Sequence, residues 1–124
     1  MNIKLILFTS LIAASLAFVA TAGTIDDTDS DLIPDVFDNC SAVANGPAGQ
    51  DQLDADSDGF GNICDADLDN DGLVGGTDFG VFVGLFGASG TVADLDGDGL
   101  VGGTDFGAFV ALFGSPPGPG ATAI

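Results

Sequence analysis

A 21-residue stretch, DLDNDGLVGGTDFGVFVGLFG, runs from Asp67 to Gly87 and returns as DLDGDGLVGGTDFGAFVALFG from Asp94 to Gly114. The copies differ only at positions 70/97, 81/108 and 84/111. In each copy aspartate occupies positions 1, 3, 5 and 12 and glycine occupies position 6, which is the spacing of a calcium-binding loop. Carboxylates two residues apart can converge on one hard cation, and the glycine permits the tight turn.

The same spacing appears twice more, nearer the N-terminus, in DTDSDLIPDVFD and DADSDGFGNICD. We number the four segments loop 1 (27–38), loop 2 (54–65), loop 3 (67–78) and loop 4 (94–105). Loop 1 carries Leu32 at position 6, which is a poor residue for a positive φ, so we expect a different geometry or a lower affinity there. The predicted ligands are Asp27, Asp29, Asp31, Asp35 and Asp38 in loop 1; Asp54, Asp56, Asp58, Asn62 and Asp65 in loop 2; Asp67, Asp69, Asp71, the carbonyl of Leu73 and Asp78 in loop 3; and Asp94, Asp96, Asp98, the carbonyl of Leu100 and Asp105 in loop 4.

The ligand chemistry favours Ca²⁺ as the bound ion. Calcium accepts about 6 to 8 flexible oxygen ligands, which suits these loops better than the strict octahedron of magnesium. Zinc would need softer ligands, and the chain contains no histidine. Position 9 of loops 3 and 4 is glycine, so we expect water to fill that ligand position.

A short helix is predicted after each of loops 3 and 4. Phe79, Phe82, Val83 and Phe86 recur at helical spacing, and the second copy repeats the pattern at positions 106, 109, 110 and 113. We interpret this stripe as core, and we interpret the opposite surface, including Val81 and Leu85, as an interface or as further core. Gly87 and Gly114 stand where a glycine ends a helix. Such short, glycine-containing helices need calcium and mutual packing for stability.

The composition excludes several classes of function. All 19 acidic residues are aspartate, the net charge is −18, and Lys4 is the only lysine or arginine. A chain this acidic does not bind nucleic acid or an anionic membrane surface electrostatically. The segment after residue 22 offers no histidine, lysine or glutamate as base or acid, so we predict that the protein is not an enzyme and has no small-molecule substrate.

Residues 1–22 have the pattern of a secretory signal peptide. Lys4 precedes an apolar stretch, and Ala20-Thr21-Ala22 is a small-x-small cleavage site. The alternative is a retained membrane anchor, for which the apolar stretch is short. In an exported protein the only two cysteines, Cys40 and Cys64, predict a disulfide. Closing that loop would contribute on the order of 3 kcal/mol to stability.

Residues 27–65 resemble the thrombospondin type 3 repeat, an aspartate-rich calcium module with little regular secondary structure. The matching features are the D-x-D-x-D runs, Asp38-Asn39-Cys40, Asn45, the Gln52-x-Asp54 pair and Cys64-Asp65. The sequence departs from that family at Ser41, where proline is usual, and at Leu32, where glycine is usual.

Residues 67–114 resemble a type I dockerin, a duplicated loop–helix module without the entering helices of a full EF-hand. Aspartate at position 12 fits that family, whereas glycine at position 9 and Gly76-Thr77 and Gly103-Thr104 depart from it. The resemblance implies docking onto a cohesin-like receptor.

The expected protein is therefore small and mostly α-helical. We predict a signal peptide (1–22), a disulfide-stapled aspartate-loop module (23–66), two EF-hand-like loop–helix units (67–114) and a flexible proline- and glycine-rich tail (115–124). The predicted function is that of a secreted or cell-surface calcium-binding protein that docks onto a cohesin-like receptor, for instance in a polysaccharide-degrading assembly. The alternative is a calcium-rigidified structural or adhesive element with no dedicated receptor.

Overall fold

The computed structural model describes residues 25–47 and 52–120. The predicted signal peptide and the last residues of the predicted tail, 121–124, lie outside the described residues. The described part contains two α-helices, α1 (Gly76–Leu85) and α2 (Gly103–Leu112), and a 3-10 helix at Asn62–Cys64. None of its helices combines the length and the apolar character that crossing a lipid bilayer requires.

Both α-helices begin inside a loop. Asp78, the last residue of loop 3, is the third residue of α1, and its carboxylate accepts a hydrogen bond of 2.7 Å from the N–H of Gly75. α2 repeats this arrangement in loop 4. The carboxylate satisfies an amide that a helix start leaves without a partner. At the other end, Gly87 and Gly114 take φ values of 85° and 86°, which confirms their predicted role as terminators.

Each loop is tied to the segment that follows the helix of the other unit. Val74, at position 8 of loop 3, donates to the carbonyl of residue 115 (2.9 Å) and accepts from the amide of residue 114 (2.8 Å). Val101, at position 8 of loop 4, makes the same pair of bonds with residues 88 and 87 (2.8 and 2.9 Å). The two units are thus linked reciprocally, and neither loop–helix unit is complete without the other.

The core lies between the two helices and the two loops. Its centre is the contact of Phe82 with Phe109, whose ring centroids are 5.3 Å apart and whose side chains are each 1% exposed. The buried residues of this core come in equivalent pairs from the two units. They are Ala66 and Ala93, Val74 and Val101, and Phe82 and Phe109, together with Leu95; Leu68, Leu85, Ala108 and Leu112 pack against them.

The interpretation of the whole phenylalanine stripe as core is wrong. Of the four stripe positions in the first copy, only Phe82 is buried, whereas Phe86, which directly follows α1, is 58% exposed and Phe79 and Val83 are also exposed. The second copy behaves in the same way, with Phe113 55% exposed. We call the six exposed stripe residues the apolar face: Phe79, Val83, Phe86, Phe106, Val110 and Phe113.

The last residue of loop 3 explains why α1 does not bury the whole phenylalanine stripe. Asp78 is fully buried because its carboxylate serves loop amides, so this residue sets which side of α1 points inward. Phe82 and Leu85 follow it at four and seven residues and therefore share that side. The surface that we predicted to oppose the stripe accordingly contributes Leu85 to the core, while Gly80 and Gly84 are exposed.

The N-terminal segment is irregular and packs against the helical unit. Cys40 and Cys64 form the predicted disulfide, and the carbonyl of Cys64 accepts a hydrogen bond of 3.1 Å from the amide of Gly118. The amide of Ser41 donates to the carbonyl of Pro119 at 3.0 Å. Residues 115–120 are therefore held against the disulfide module, which differs from the flexible tail that their composition predicts. Backbone hydrogen bonds to two other segments outweigh the local preference.

The two kinds of phenylalanine should differ in their effect on stability. We expect Phe82→Ala and Phe109→Ala each to lower the free energy of unfolding by about 3–5 kcal/mol, because each leaves a cavity at the centre of the core. Phe86→Ala and Phe113→Ala are the matched controls and should cost about 1 kcal/mol or less, because much of each ring is already in water. Chemical denaturation in saturating calcium measures all four values, and equal losses would contradict the core assignment.

Candidate metal centres

All four loops share the same backbone turn at positions 4 and 6. Positions 4 and 6 have positive φ in every loop, between 58° and 102°. The residues are Ser30 and Leu32, Ser57 and Gly59, Asn70 and Gly72, and Gly97 and Gly99. The prediction covered position 6 only. Position 4 carried a signal as well, because glycine and asparagine are the residues that most readily adopt this region, and they hold that position in loops 3 and 4.

This conformation turns backbone amides toward the carboxylates. The carboxylate at position 1 accepts a hydrogen bond from the amide at position 6, at 3.2, 3.1, 2.7 and 3.0 Å in loops 1 to 4. The carboxylate at position 5 accepts from the amide at position 7, at 2.8, 2.9, 3.0 and 2.9 Å. These bonds fix where the carboxylates point and offset part of the repulsion between them.

Each loop gathers three carboxylates within reach of one ion. Their ligand oxygens lie within 4.8 Å of one another in every group. The groups are Asp27, Asp29 and Asp31; Asp54, Asp56 and Asp58; Asp67, Asp69 and Asp71; and Asp94, Asp96 and Asp105. Positions 1, 3 and 5 thus come together in loops 1 to 3 as the spacing predicts, whereas loop 4 joins positions 1, 3 and 12.

Several predicted ligands have hydrogen-bond partners within the protein. Both oxygens of Asp35 accept from Thr28, one from its amide (2.7 Å) and one from its hydroxyl (2.6 Å). In loop 2, Asn62 accepts from the amide of Ala55 through Oδ1 (2.9 Å). In these two loops the side chain at position 9 therefore accepts hydrogen bonds from the residue at position 2. Asp78 likewise uses both oxygens to accept from loop amides, as shown by its bonds to residues 69 and 75.

Three buried carboxylate oxygens have no hydrogen-bond partner among the described residues. They are Oδ2 of Asp29 and Oδ2 of Asp38, both in loop 1, and Oδ1 of Asp94 in loop 4. A buried anionic oxygen without a partner is costly, and a bound cation removes that cost. Because the donors in these loops are hard oxygens, the sites fit calcium. Loop 1 keeps the positive φ at Leu32 and gathers positions 1, 3 and 5 as loops 2 and 3 do, so the expectation of a different geometry there is wrong.

The pKa values reflect burial and crowding of like charges. Burial, followed by the nearby carboxylates of Asp58 and Asp56, raises the pKa of Asp65 to about 7. Burial is also the largest cause of the raised pKa values of Asp29, Asp58 and Asp94. Asp31 is the exception. Burial acts to raise its pKa, but hydrogen bonds from the amides of residues 33, 45 and 46 together hold it below the usual value.

The irregular segment between loops 1 and 2 supports the first loop. The amides of Asn45 and Gly46 both donate to Oδ2 of Asp31, at 2.8 and 2.7 Å. Gln52 connects this segment to loop 1 by donating to Oδ1 of Asp38 at 2.8 Å and to Oδ1 of Asn45 at 2.6 Å. Loop 1 is therefore held from outside as well as by its own amides.

Comparison with known families supports the interpretation of the N-terminal half as a calcium-binding repeat. Residues 26–47 and 53–78 match the family model of the thrombospondin type 3 repeat. The match confirms the resemblance seen in residues 27–65, and its second segment runs on through loop 3. Together with the four carboxylate groups, this family match supports calcium as the ion of the chain.

A comparison with solved structures also found a similarity over part of the chain. The similar structure is a type II cohesin–dockerin domain from Bacteroides cellolosolvens, with 29% sequence identity and a TM-score of 0.39. The similarity covers 41% of this chain and 85% of that chain. No curated protein matches the sequence.

Leu32 should be the weak point of loop 1. Its φ of 78° is a left-handed conformation that costs a residue with a side chain about 1–2 kcal/mol. We expect Leu32→Gly to increase the stability of the calcium-loaded protein by about 0.5–1 kcal/mol, since part of the relief is lost to the more flexible unfolded chain. The matched control is Gly72→Leu, whose added Cβ meets no atom within 4 Å, so this variant should mainly cost the conformational strain. Unchanged midpoints for both variants in denaturant would contradict the assignment.

The metal-free protein should become less stable as pH rises toward neutrality. Asp65 has a pKa of about 7 in the folded chain against 3.8 for an ordinary aspartate, so between about pH 4 and pH 7 the folded chain holds a proton that the unfolded chain has released. Its contribution is fully present below about pH 4 and is lost as pH passes through about 7. Unfolding of calcium-free protein across this range measures the slope, and Asp65→Asn should flatten it. Stability that rises over the same range would contradict the assignment.

Proposed function

We propose that the protein is an exported calcium-binding module that docks onto a cohesin-like receptor through the apolar face of α1 and α2. One observation carries the proposal: six large apolar side chains are exposed on these two short helices and at the residues that directly follow them. The rings of Phe79 and Phe106 lie 6.3 Å apart, so the two helices present one surface. Exposed apolar clusters of this kind are typical of interaction sites.

The surroundings of the apolar face strengthen this inference. The only charged residue in α1 is Asp78 and the only one in α2 is Asp105, and both are fully buried. The exposed surface of both helices is therefore uncharged in a protein whose net charge is −18. A receptor can bury this surface without removing any of the helices' own charges from water, which avoids the main cost of burying polar surface.

Calcium controls this surface in the proposal. Asp78 and Asp105 are predicted ligands, and the same carboxylates set the rotation of the helices. Losing the ion from a loop would remove the charge balance that keeps these residues buried. Docking should accordingly depend on calcium. The cohesin-like class of receptor comes from the repeat pattern of residues 67–114, and export is consistent with the Cys40–Cys64 disulfide.

A structural or adhesive role remains the second candidate, because the parts of the chain are interlocked. Asn70 of loop 3 donates to Oδ2 of Asp56 in loop 2 at 3.1 Å, and Asn62 of loop 2 donates to the carbonyl of Asp94 in loop 4 at 3.2 Å. Together with the contacts of residues 115–120, these bonds make a calcium-stiffened unit. Neither candidate involves catalysis.

Capture experiments on the whole chain distinguish the two candidates. We expect the immobilised protein to retain, from the extracellular proteins of its source, a protein with a cohesin domain in calcium and to release it in chelator. Phe86→Ser combined with Phe113→Ser should abolish capture, because it removes two rings of the apolar face. Asp71→Ala combined with Asp98→Ala should abolish it by disabling loops 3 and 4.

Phe37→Ser is the matched control, since Phe37 is 70% exposed but lies in loop 1 rather than on the apolar face. This variant should capture as well as the unaltered chain. Failure of the folded protein to retain any cohesin-bearing protein, or capture that survives the loss of Phe86 and Phe113, would reject docking and favour the structural role.

A further inference from the structure

Asn62 joins two different loops through its side chain. It lies at position 9 of loop 2, where the spacing predicts a ligand, and it is 5% exposed. Its Oδ1 accepts from the amide of Ala55 at 2.9 Å within loop 2. Its Nδ2 donates to the carbonyl of Asp94, the first residue of loop 4, at 3.2 Å. The amide group thus has a bonded partner at each end, one in its own loop and one in another.

The peptide unit that receives this bond is held from both sides. The carbonyl of Asp94 accepts from Asn62, and the amide of the same peptide unit, that of Leu95, donates to Oδ1 of Asp105 at 2.8 Å. Asp94 and Asp105 are the first and last ligand positions of loop 4, and both belong to its carboxylate group. Fixing this peptide plane therefore fixes the relative placement of two ligands. Oδ1 of Asp94 is buried without a hydrogen-bond partner, as a metal-facing oxygen would be.

Loop 3 provides an internal comparison because its sequence differs from loop 4 only at position 4. The corresponding carbonyl, that of Asp67, accepts from the amide of Asn70 at 3.2 Å within its own loop. Oδ1 of Asp78 accepts from Asp69 at 3.0 Å. Among the described residues no side chain of loop 2 reaches the carbonyl of Asp67. The two loops also gather different carboxylates, positions 1, 3 and 5 in loop 3 and positions 1, 3 and 12 in loop 4.

We propose that Asn62 is a positioning residue for the ion site of loop 4, through which ion binding in loop 2 and loop 4 is coupled. An ion that orders loop 2 fixes Asn62, and Asn62 then orients the peptide unit that begins loop 4. Ion binding in loop 4 fixes Asn62 in turn, because coupling between two sites is reciprocal. The proposal rests on calcium binding by the loops and is independent of docking by the apolar face.

Calcium titration followed by NMR can test this loop by loop. The amides of Gly59, Gly72 and Gly99 each donate to the first carboxylate of their own loop, so their resonances report loops 2, 3 and 4 separately. In the whole chain, Asn62→Ala should weaken calcium binding in loop 4 about fivefold, which corresponds to one hydrogen bond of about 1 kcal/mol. Binding in loop 3 should change less than about twofold.

Asn62→Asp separates positioning from ligation. Aspartate keeps an oxygen at position 9 for an ion in loop 2 but cannot donate to the carbonyl of Asp94. We expect it to weaken loop 4 at least as much as Asn62→Ala while loop 2 binds no more weakly than before. If loop 4 keeps its affinity in this variant, Asn62 acts only within loop 2 and the proposal is overturned.

Asn70→Gly is the matched control, because it removes the bond from loop 3 to Asp56 and gives loop 3 the sequence of loop 4. It should leave the affinity of loop 4 unchanged. Helical circular dichroism in saturating calcium and the Gly72 resonance verify the fold of every variant. Equal weakening of loops 3 and 4 by Asn62→Ala would show a general loss of stability instead of positioning, and would also overturn the proposal.

Discussion

The hydrogen bond from the amide at position 6 to the carboxylate at position 1 is the interaction on which the rest of the structure depends. In all four loops it occurs together with positive φ at positions 4 and 6, and in loops 1 to 3 the same turn brings the carboxylates at positions 1, 3 and 5 together. The geometry that makes the loop compact is therefore the geometry that concentrates negative charge. Backbone amides offset part of that repulsion, and the three unpartnered oxygens show that they do not offset all of it. A bound calcium ion therefore stabilises the folded loops.

The carboxylates of the loops also determine how the two helices are oriented. Asp78 and Asp105 belong to the loops and to the first turns of α1 and α2 at once. Their burial decides the rotation of each helix, so one phenylalanine per helix enters the core and the other apolar residues of the stripe remain outside. The exposed apolar face is thus a consequence of the buried carboxylates that end loops 3 and 4. This explains how two helices too short to be stable alone can present a defined apolar face.

Sequence spacing was sufficient for the features that depend on local geometry. It identified four loops, the disulfide, the two helices and their terminating glycines, because each follows from residue types at fixed separations. It was insufficient where two different sets of residues in one helix both had helical spacing, so that either set could form the buried side. The stripe beginning at Phe79 and the series Asp78, Phe82 and Leu85 both have helical spacing, and only the buried carboxylate decides between them. The packing of residues 115–120 could not be predicted from local sequence either, because their hydrogen-bond partners, Ser41 and Cys64, lie far away in the chain.

Loops 3 and 4 show why nearly identical sequences need not make identical sites. They differ at one position in twelve, yet loop 4 lies against Asn62 and loop 3 lies against Asp56. One neighbour is a neutral amide that orients a peptide unit, and the other is a carboxylate that adds negative charge. Since the affinity of a loop depends on ligand charge and on rigidity, these neighbours should make the two sites differ. The irregular N-terminal segment therefore gives the two loops different surroundings and breaks the symmetry that the repeat alone would impose.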